Sequence, residues 1–575
     1  MADSLIYEIS NTTELSDGPF TRKDKVYILD QNAASYSNNT IILDTASISN
    51  SGKFALMQTA TITVPLLVTM TSTFNFSALA TDFACGLKNS FTQIINSLNV
   101  EYNNSSVIQV SNFTNAYISY KLNTTLDLDS VLTVGSQIGF AIDTAPSWYY
   151  VNGASLVGCG STNNDDDVFS TNCAQVYQGI SGNIGFTRRQ LNNLFSSSQT
   201  GVTALLGGNW SSVASQVQRS FTVKSLVATP AGYYAQSWNI LATLRLKDLT
   251  DFFEKLPLVR GAFIKMYLYL NQSLTTLHVA GNASPSGYPA GSMWCTGTDI
   301  QVYGGNTNPL LIASARTTKS GMYPISAAVA AQGVDQTFTF SVSILNSLDQ
   351  QCPSPYNRYQ GQTACRLYCD LYTMNPAKEE EYLLANRTKT VEYRDIYSYQ
   401  FLNISPGSAN FLVSNGISDL LEIVCVPIIS STYNGTGVSA TSFSPIVSPF
   451  CSEPATCSPC MFVNNFNIQL SGVNCFINSE QYLYEQFQNE LYGVGSVNGG
   501  LTDGVNSGLI SQNDFENNYG YLVANASRRL PEEDRTPKSV QVLFNNLAVV
   551  PISMYVFCVM RKSIQIDIYT GKRLS

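Results

Sequence analysis

Along much of the chain apolar and polar residues trade places with a period of two, the pattern of strands that bury one face and wet the other. Phe338-Thr-Phe340-Ser-Val342-Ser-Ile344 puts two phenylalanines, a valine and an isoleucine on one side and hydroxyls on the other, as a half-buried antiparallel strand requires. Phe466-Asn-Ile468-Gln-Leu470 and Ile564-Gln-Ile566-Asp-Ile568 repeat the design. Over 263–270, Ile264, Met266, Leu268 and Leu270 alternate with Phe263, Lys265, Tyr267 and Tyr269, so both faces are largely covered and an interior strand is expected. Helix-like periodicity is confined to 246–253, 377–384 and 481–491, which predict short helices in loops. Stretches rich in Gly, Ser and Asn, such as 153–167 and 493–508, exceed simple hairpin turns and suit recognition or contact.

A chain of 575 residues has room for two β-domains of about 200 to 280 residues each. Gly304-Gly-Asn-Thr-Asn-Pro309 follows an expected strand at 300–303 and precedes the strand at Phe338, which makes it the expected junction. The predicted division is an N-terminal arm, 1–24, a first domain, 25–305, a linker, 306–333, and a second domain, 334–575. Closed sandwiches are one of the main ways in which such strands hide their edges. The expected fold class is all-β: two tandem antiparallel eight-stranded jelly rolls with long loops and a few short helices.

Composition supports this and removes other classes. Only 12% of residues are charged, while Asn, Ser, Thr, Gly and 32 tyrosines abound, a palette of strands and polar loops. With 31 basic against 40 acidic residues the net charge is −9, so the surface repels a phosphate backbone and specific nucleic-acid binding is not expected. The opening MADSLIYEIS lacks a basic segment followed by an apolar core, so no secretory signal is expected. The apolar stretches 62–70 and 547–560 are too short to span a bilayer and contain Pro65 and Pro551, so a soluble chain is expected.

Thirteen cysteines, an odd number without scaffold spacing, are expected mostly reduced and buried. Cys365-x3-Cys369 and Cys457-Ser-Pro-Cys460, with Cys451 and Cys475 nearby, lack the second pair of a zinc finger, and burial is the favoured reading. Spacing leaves open whether the cysteines of 451–475 pair or bind metal. Asn-x-Ser/Thr triplets such as Asn123-Thr-Thr and Asn403-Ile-Ser are read as chance products of the composition.

Candidate chemistry is sparse. The one histidine, in Leu277-His278-Val279, is the only residue on which a triad could be built, and a wall residue is the favoured reading. No phosphate-cradling loop, nucleophile elbow or His-Glu-x-x-His motif occurs. Asp165-Asp-Asp167 lacks the Gly and Glu positions of a calcium loop and reads as a solvated tip. No catalytic, cofactor-binding or metal-binding residue is assigned, and no enzymatic activity is expected. Paired carboxylates on distant strands leave no trace in spacing. That keeps a carbohydrate-binding or carbohydrate-active β-sandwich as the alternative, weakened by a count of only four tryptophans.

Three stretches carry a family resemblance. Arg245-Leu-Lys-Asp-Leu-Thr-Asp-Phe-Phe-Glu-Lys-Leu-Pro-Leu-Val-Arg-Gly-Ala-Phe263 reads as a short helix, a Leu-Pro-Leu corner and a strand. Later come Ser507-Gly-Leu-Ile-Ser511, Asp514-Phe-Glu516, Tyr519 and Ser527-Arg-Arg529, then closing strands at 540–544 and 554–571. Near the start stand Tyr36-Ser37, Leu43-Asp44-Thr45, Ser51-Gly-Lys53 and the run 62–67. In this order the chain resembles the double jelly-roll major capsid proteins of virophages and polinton-like viruses, from about Lys25 to the C-terminus. It departs from them at Val523-Ala-Asn525-Ala, where an acidic residue is expected beside Arg528 and Arg529, and in the cysteine-bearing loop 451–460.

The resemblance implies a structural subunit of the virion, assembled inside the host cell. It implies homotrimers that pack against neighbouring capsomers in the icosahedral shell of a double-stranded DNA virus, with a single-jelly-roll penton protein at the vertices and smaller cement proteins. Three chains of two similar sandwiches present six comparable lobes, so a three-fold object tiles sites of local six-fold symmetry. The pairs Arg561-Lys562 and Lys572-Arg573 would then face the capsid interior or an acidic partner, or are simply solvated strand ends.

Overall fold

Alternation in sequence becomes antiparallel pairing in the computed structural model, which describes residues 18–32, 36, 40–72, 83–109, 111–143, 222–225, 234–279, 293–294, 300–303, 309–314, 336–344, 364–429, 463–491, 507–527, 535–548 and 551–574. Eight strands form a first sandwich: β1 (Phe20–Leu29), β2 (Thr40–Asp44), β3 (Phe54–Ser72), β4 (Ile95–Tyr102), β5 (Ser105–Ile108), β6 (Tyr234–Arg245), β7 (Ile264–Leu270) and β8 (Arg366–Met374). Their sheet orders are β1-β8-β3-β6 and β2-β7-β4-β5. Eight more form a second: β9 (Thr388–Ile404), β10 (Gly407–Ile417), β11 (Leu420–Ile429), β12 (Val463–Leu470), β13 (Val473–Asn474), β14 (Leu522–Asn525), β15 (Lys538–Asn546) and β16 (Ile552–Asp567). These order as β9-β16-β11-β14 and β10-β15-β12-β13. In both sets the first strand pairs the eighth, the eighth the third and the third the sixth, while the second, seventh, fourth and fifth make the facing sheet. That is the jelly-roll order, and the chain carries it twice, as expected from the sequence.

The junction is not where the sequence placed it. Gln336–Ile344 pairs with β3 from Phe338↔Ser72 to Ile344↔Leu66, and β8 pairs with the other half of the same edge from Arg366↔Thr63 to Tyr372↔Phe54. Both segments had been assigned to the second domain, yet β8 is the closing strand of the first. The expected linker at 306–333 falls inside an insert between β7 and β8, in which Gln272–Val279 and Gln336–Ile344 widen the first sheet. The connection is the helix Pro376–Asn386, started by the Asn375 side chain accepting from the Ala377 amide. Alternation reveals that 338–344 is a strand with one buried face; it does not name a partner about 270 positions away, a choice made by tertiary packing.

The short helices expected at 246–253, 377–384 and 481–491 appear as Leu246–Leu249 with Asp251–Lys255, as Pro376–Asn386 and as Tyr484–Leu491. β7 is interior by pairing, flanked by β2 and β4, and Ile264, Met266, Leu268 and Leu270 are buried. Its other face is only half covered, because Lys265, Tyr267 and Tyr269 remain partly exposed.

Two helices escaped the sequence reading: α1 (Thr114–Thr125) and α2 (Leu128–Ile138), which follow β5. α1 lies between the two cores. Ile118 and Leu122, one turn apart, pack in the first core, and Phe113, Ala116 and Tyr120 pack in the second. A helix apolar on two sides has no single stripe, which is why its period is hidden. The exchange runs both ways, since Val391 and Tyr393 of β9 and Ile564 and Ile566 of β16 belong to the first core. At about 3.3 Å per residue, strands of this length outrun one sandwich and continue into the next. Residues 552–560 of β16 are buried without alternation, because core covers one face and α1 the other. Phe113 meets Tyr555 at 4.8 Å, and Tyr117 meets Phe557 at 5.7 Å. The apolar run 547–560 is thus largely a strand covered on both faces, and among the described residues no helix is long and apolar enough to cross a membrane.

Candidate functional site: the seam between the jelly rolls

The insert after β5 joins the two sandwiches. Asn123 of α1 donates to the Tyr521 hydroxyl at 3.2 Å, and its carbonyl accepts from the Leu509 amide at 2.9 Å. The Asp143 amide donates to the Tyr519 hydroxyl at 2.8 Å, and Ser111 bonds Ser398 at 2.9 Å. Tyr393 on β9 donates to the Val107 carbonyl on β5 at 2.8 Å. Buried hydrogen bonds of this kind contribute about 1 kcal/mol each and fix the relative register of the parts they join.

Charges are buried with them. Lys121 of α1 pairs with Asp251, whose other oxygen lies 3.9 Å from Arg394 of β9, and Arg394 reaches Glu422 of β11 at 3.6 Å. Glu422 is only 12% exposed. Burial pushes its carboxyl above the usual range against the pull of Arg394, and Asp251 adds to the rise. Asp395, at 2% exposure, likewise has its carboxyl raised by burial although Lys562 pairs with it.

Beside this network a cleft of about 560 Å³ opens between the sandwiches, lined by Ser106 and Val107 of β5, Glu392 of β9, Asp419, Arg535 and 560–564 of β16, and Arg573. A second groove of about 590 Å³, with Asn103, Gly261 and Lys572, shares Arg573 with it. Gly261 and Gly571 allow the closing segment to touch the first sandwich: both have positive φ, and a Cβ on Gly571 would lie 2.4 Å from the Ala262 nitrogen. On the far side, the outer face of β1 and β8 exposes Tyr27 at 56% with Tyr368 5.9 Å away and Arg366 stacked 5.0 Å over the Tyr27 ring. Lys23 lies 5.4 Å over Tyr372. Tyrosine and arginine are the residue types that anchor protein interfaces.

The residues singled out in the sequence fall in different places. The structure joins Arg561, Lys562, Lys572 and Arg573 along the cleft and its continuing groove, where it adds Arg535, and beside the cleft it pairs Arg394 with Glu422; no motif marked these three. Cys365, Cys369, Cys425 and Cys558 are buried thiols; burial pushes Cys369 and Cys558 up to about 12 and the other two well above the usual value. Cys475 is half-buried. Among the described residues no three His, Cys, Asp or Glu side chains converge as metal ligands would. His278 lies in the strand Gln272–Val279, opposite Thr337 and Trp294. Asn123 is buried and Asn403 exposed. Cys451, Cys457, Cys460, 165–167, Arg528 and Arg529 lie outside the described residues.

Two tandem jelly rolls with exchanged core residues make this a double jelly-roll protein. No protein-family model matches the chain, and no curated protein does. Among solved structures it is similar to the Sputnik virophage structure determined by cryo-EM, at 12% identity over 98% of this chain and 90% of that one, with a TM-score of 0.48. It is similar to the mavirus major capsid protein at 10% identity, 98% and 93% coverage and a TM-score of 0.41, and to the Faustovirus major capsid protein at 10%, 97% and 94%, and 0.40. The jelly-roll assignment rests on the strand order of this chain.

Proposed function

We propose that this chain is the major capsid protein of an icosahedral double-stranded DNA virus, a structural subunit of the virion that self-associates into trimers. The observation that carries the proposal is one jelly-roll order present twice, with residues of the second sandwich's strands packed in the first core. Three such bodies around an axis form a ring of six similar lobes, the shape that packs hexagonally. Tyr27, exposed on β1 with the half-buried Arg366 over its ring, suits contact between chains, and obligate contacts of this kind bury on the order of 2,000 Å² or more. Neighbouring capsomers, a single-jelly-roll penton protein and smaller cement proteins are the partners in this reading.

Light scattering on purified protein, with negative-stain images of the same sample, tests it. The expected result is three times 62.7 kDa with a pseudo-hexagonal outline. A compact monomer would sink the trimer, and a monomer that binds or cleaves glycans would move the assignment to a carbohydrate-directed β-sandwich.

A further inference from the structure

The two lobes differ in what covers the outer face of their first and eighth strands. In the second lobe that face is filled from the first. Ser398 of β9, with Tyr555 and Phe557 of β16, meets Ser111, Phe113 and Tyr117, all from the stretch that follows β5, the fifth strand of the first lobe. In the first lobe the corresponding face carries Leu29, Tyr27 and Lys25 of β1, opposite Arg366, Tyr368 and Asp370 of β8. These side chains turn away from the core, since their neighbours Val26, Ile28, Leu367 and Cys369 pack in it. Tyr27 and Leu29 are more than half exposed, and Lys25 is exposed with them.

The stretch that follows the fifth strand of the second lobe, β13, has apolar side chains to spare. Ile477, at 95% exposure, is the most exposed large apolar residue among the described residues, and Leu483 is more than half exposed. This is not a loose tip. Phe476 and Tyr482, beside them, are buried in the second core, and the backbones of Phe466 and Glu480 bond each other both ways at 3.0 Å. Exposed apolar side chains on an anchored segment mark a contact surface. The charges match as well: 473–491 contains Glu480, Glu485 and Glu490 and no lysine or arginine, whereas β1 has Arg22, Lys23 and Lys25 against Asp24.

We infer that the outer face of β1 and β8 is the seat of the segment 475–485 of a second copy of this chain, with Ile477 and Leu483 on Tyr27 and Leu29 and the glutamates toward Lys25. This seat rests on the trimer reading above and adds which surfaces meet. The contact runs head to tail, first lobe to second, so it closes as a ring and does not pair a face with itself. It repeats between chains what the stretch after β5 does within one, so every lobe of the ring has the outer face of its first and eighth strands covered by the insert of its neighbour.

Photo-crosslinking of the full chain with benzoylphenylalanine in place of Tyr27 tests the seat, with light scattering on the same sample. Mass spectrometry should find links to 473–491 in species that run as covalent dimers and trimers on a denaturing gel. Their yield should fall about five-fold or more when Ile477→Glu is added, an exposed position whose change leaves the core intact. The reciprocal probe at Ile477 should link to 20–29. A trimer whose Tyr27 probe links to β1 of a second copy, or to other surfaces, would overturn the seat and leave the trimer standing. Links to 473–491 confined to single chains would overturn the second copy as occupant, and a monomer by light scattering would sink the trimer and the seat together.

Discussion

The first jelly roll carries longer inserts than the second, which has 475–521 between β13 and β14. Between β5 and β6 the first carries 125 intervening positions, 109–233, including α1 and α2, and between β7 and β8 it carries two long strands that extend its own sheet. The second keeps the same order with β9, β10 and β11 joined by tight turns. The strand order survives these inserts because it is set by which edges and faces are buried, and a loop lengthens at little entropic cost. What the inserts change is the surroundings: α1 turns the outer face of β9 and β16 into an interior, whereas on β1 Tyr27 stays exposed beside the half-buried Tyr368 and Arg366.

The comparison says that the lobes resemble each other in topology but depend on each other for their cores, and it can be broken by mutation. Phe557→Ala removes a fully buried ring shared by the second core and Tyr117 of α1. A loss of about 3–5 kcal/mol is expected, with both lobes still unfolding in one urea transition. Two separate transitions would mean that the lobes are merely tethered. Lys562→Met should cost about 3 kcal/mol by stranding the Asp395 carboxylate, and most of that loss should return in the Asp395→Leu/Lys562→Met double variant, measured by chemical denaturation. Gly571→Ala, forced into positive φ against the Ala262 backbone, should cost about 2 kcal/mol. Its proton-exchange signature should be faster exchange at the Arg260 amide, which donates to the Ile568 carbonyl.

The smallest effect is the most specific to the seam. Burial raises the Glu422 carboxyl, so folding disfavours its charged form: the residue subtracts stability as pH rises through the raised value and subtracts none below the ordinary glutamate range. Asp24 has the opposite sign. Lys53 holds its carboxyl low, so its contribution is present above the ordinary aspartate range and lost as pH falls through the lowered value. Glu422→Gln should therefore raise the midpoint temperature slightly at neutral pH, by less than about 1 kcal/mol in stability, and leave it unchanged in acid. A drop at neutral pH would show that the Arg394 pair outweighs the burial cost.

Much of the architecture was legible. Strands with one wet face, such as β12 and β15, announce themselves because solvent enforces polar residues at alternate positions. α1 did not, since Thr114, Asn115, Ser119 and Asn123 are buried polar residues on a helix enclosed by two cores. Gln93 bonds Ser119 at 2.6 Å and accepts from Asn115 at 3.0 Å, which explains how that polarity is tolerated inside. The basic pairs near the C-terminus were visible as charges; their convergence with Arg535 was not, because 535, 561 and 573 meet only through strand pairing and the fold-back at Ile566.

By itself the sequence determined that this is an all-β chain with two cores, little charge and no motif of a known catalytic class, because strand period and composition are local properties that water imposes residue by residue. Only the tertiary structure decided that 366–374 completes the first jelly roll and 336–344 widens its sheet, that α1 separates the cores, and that five cations line the cleft and the groove that continues it. Those outcomes depend on contacts between residues up to hundreds of positions apart, where burial of one face is satisfied equally well in isolation by many partners and is resolved only when all the faces are covered together.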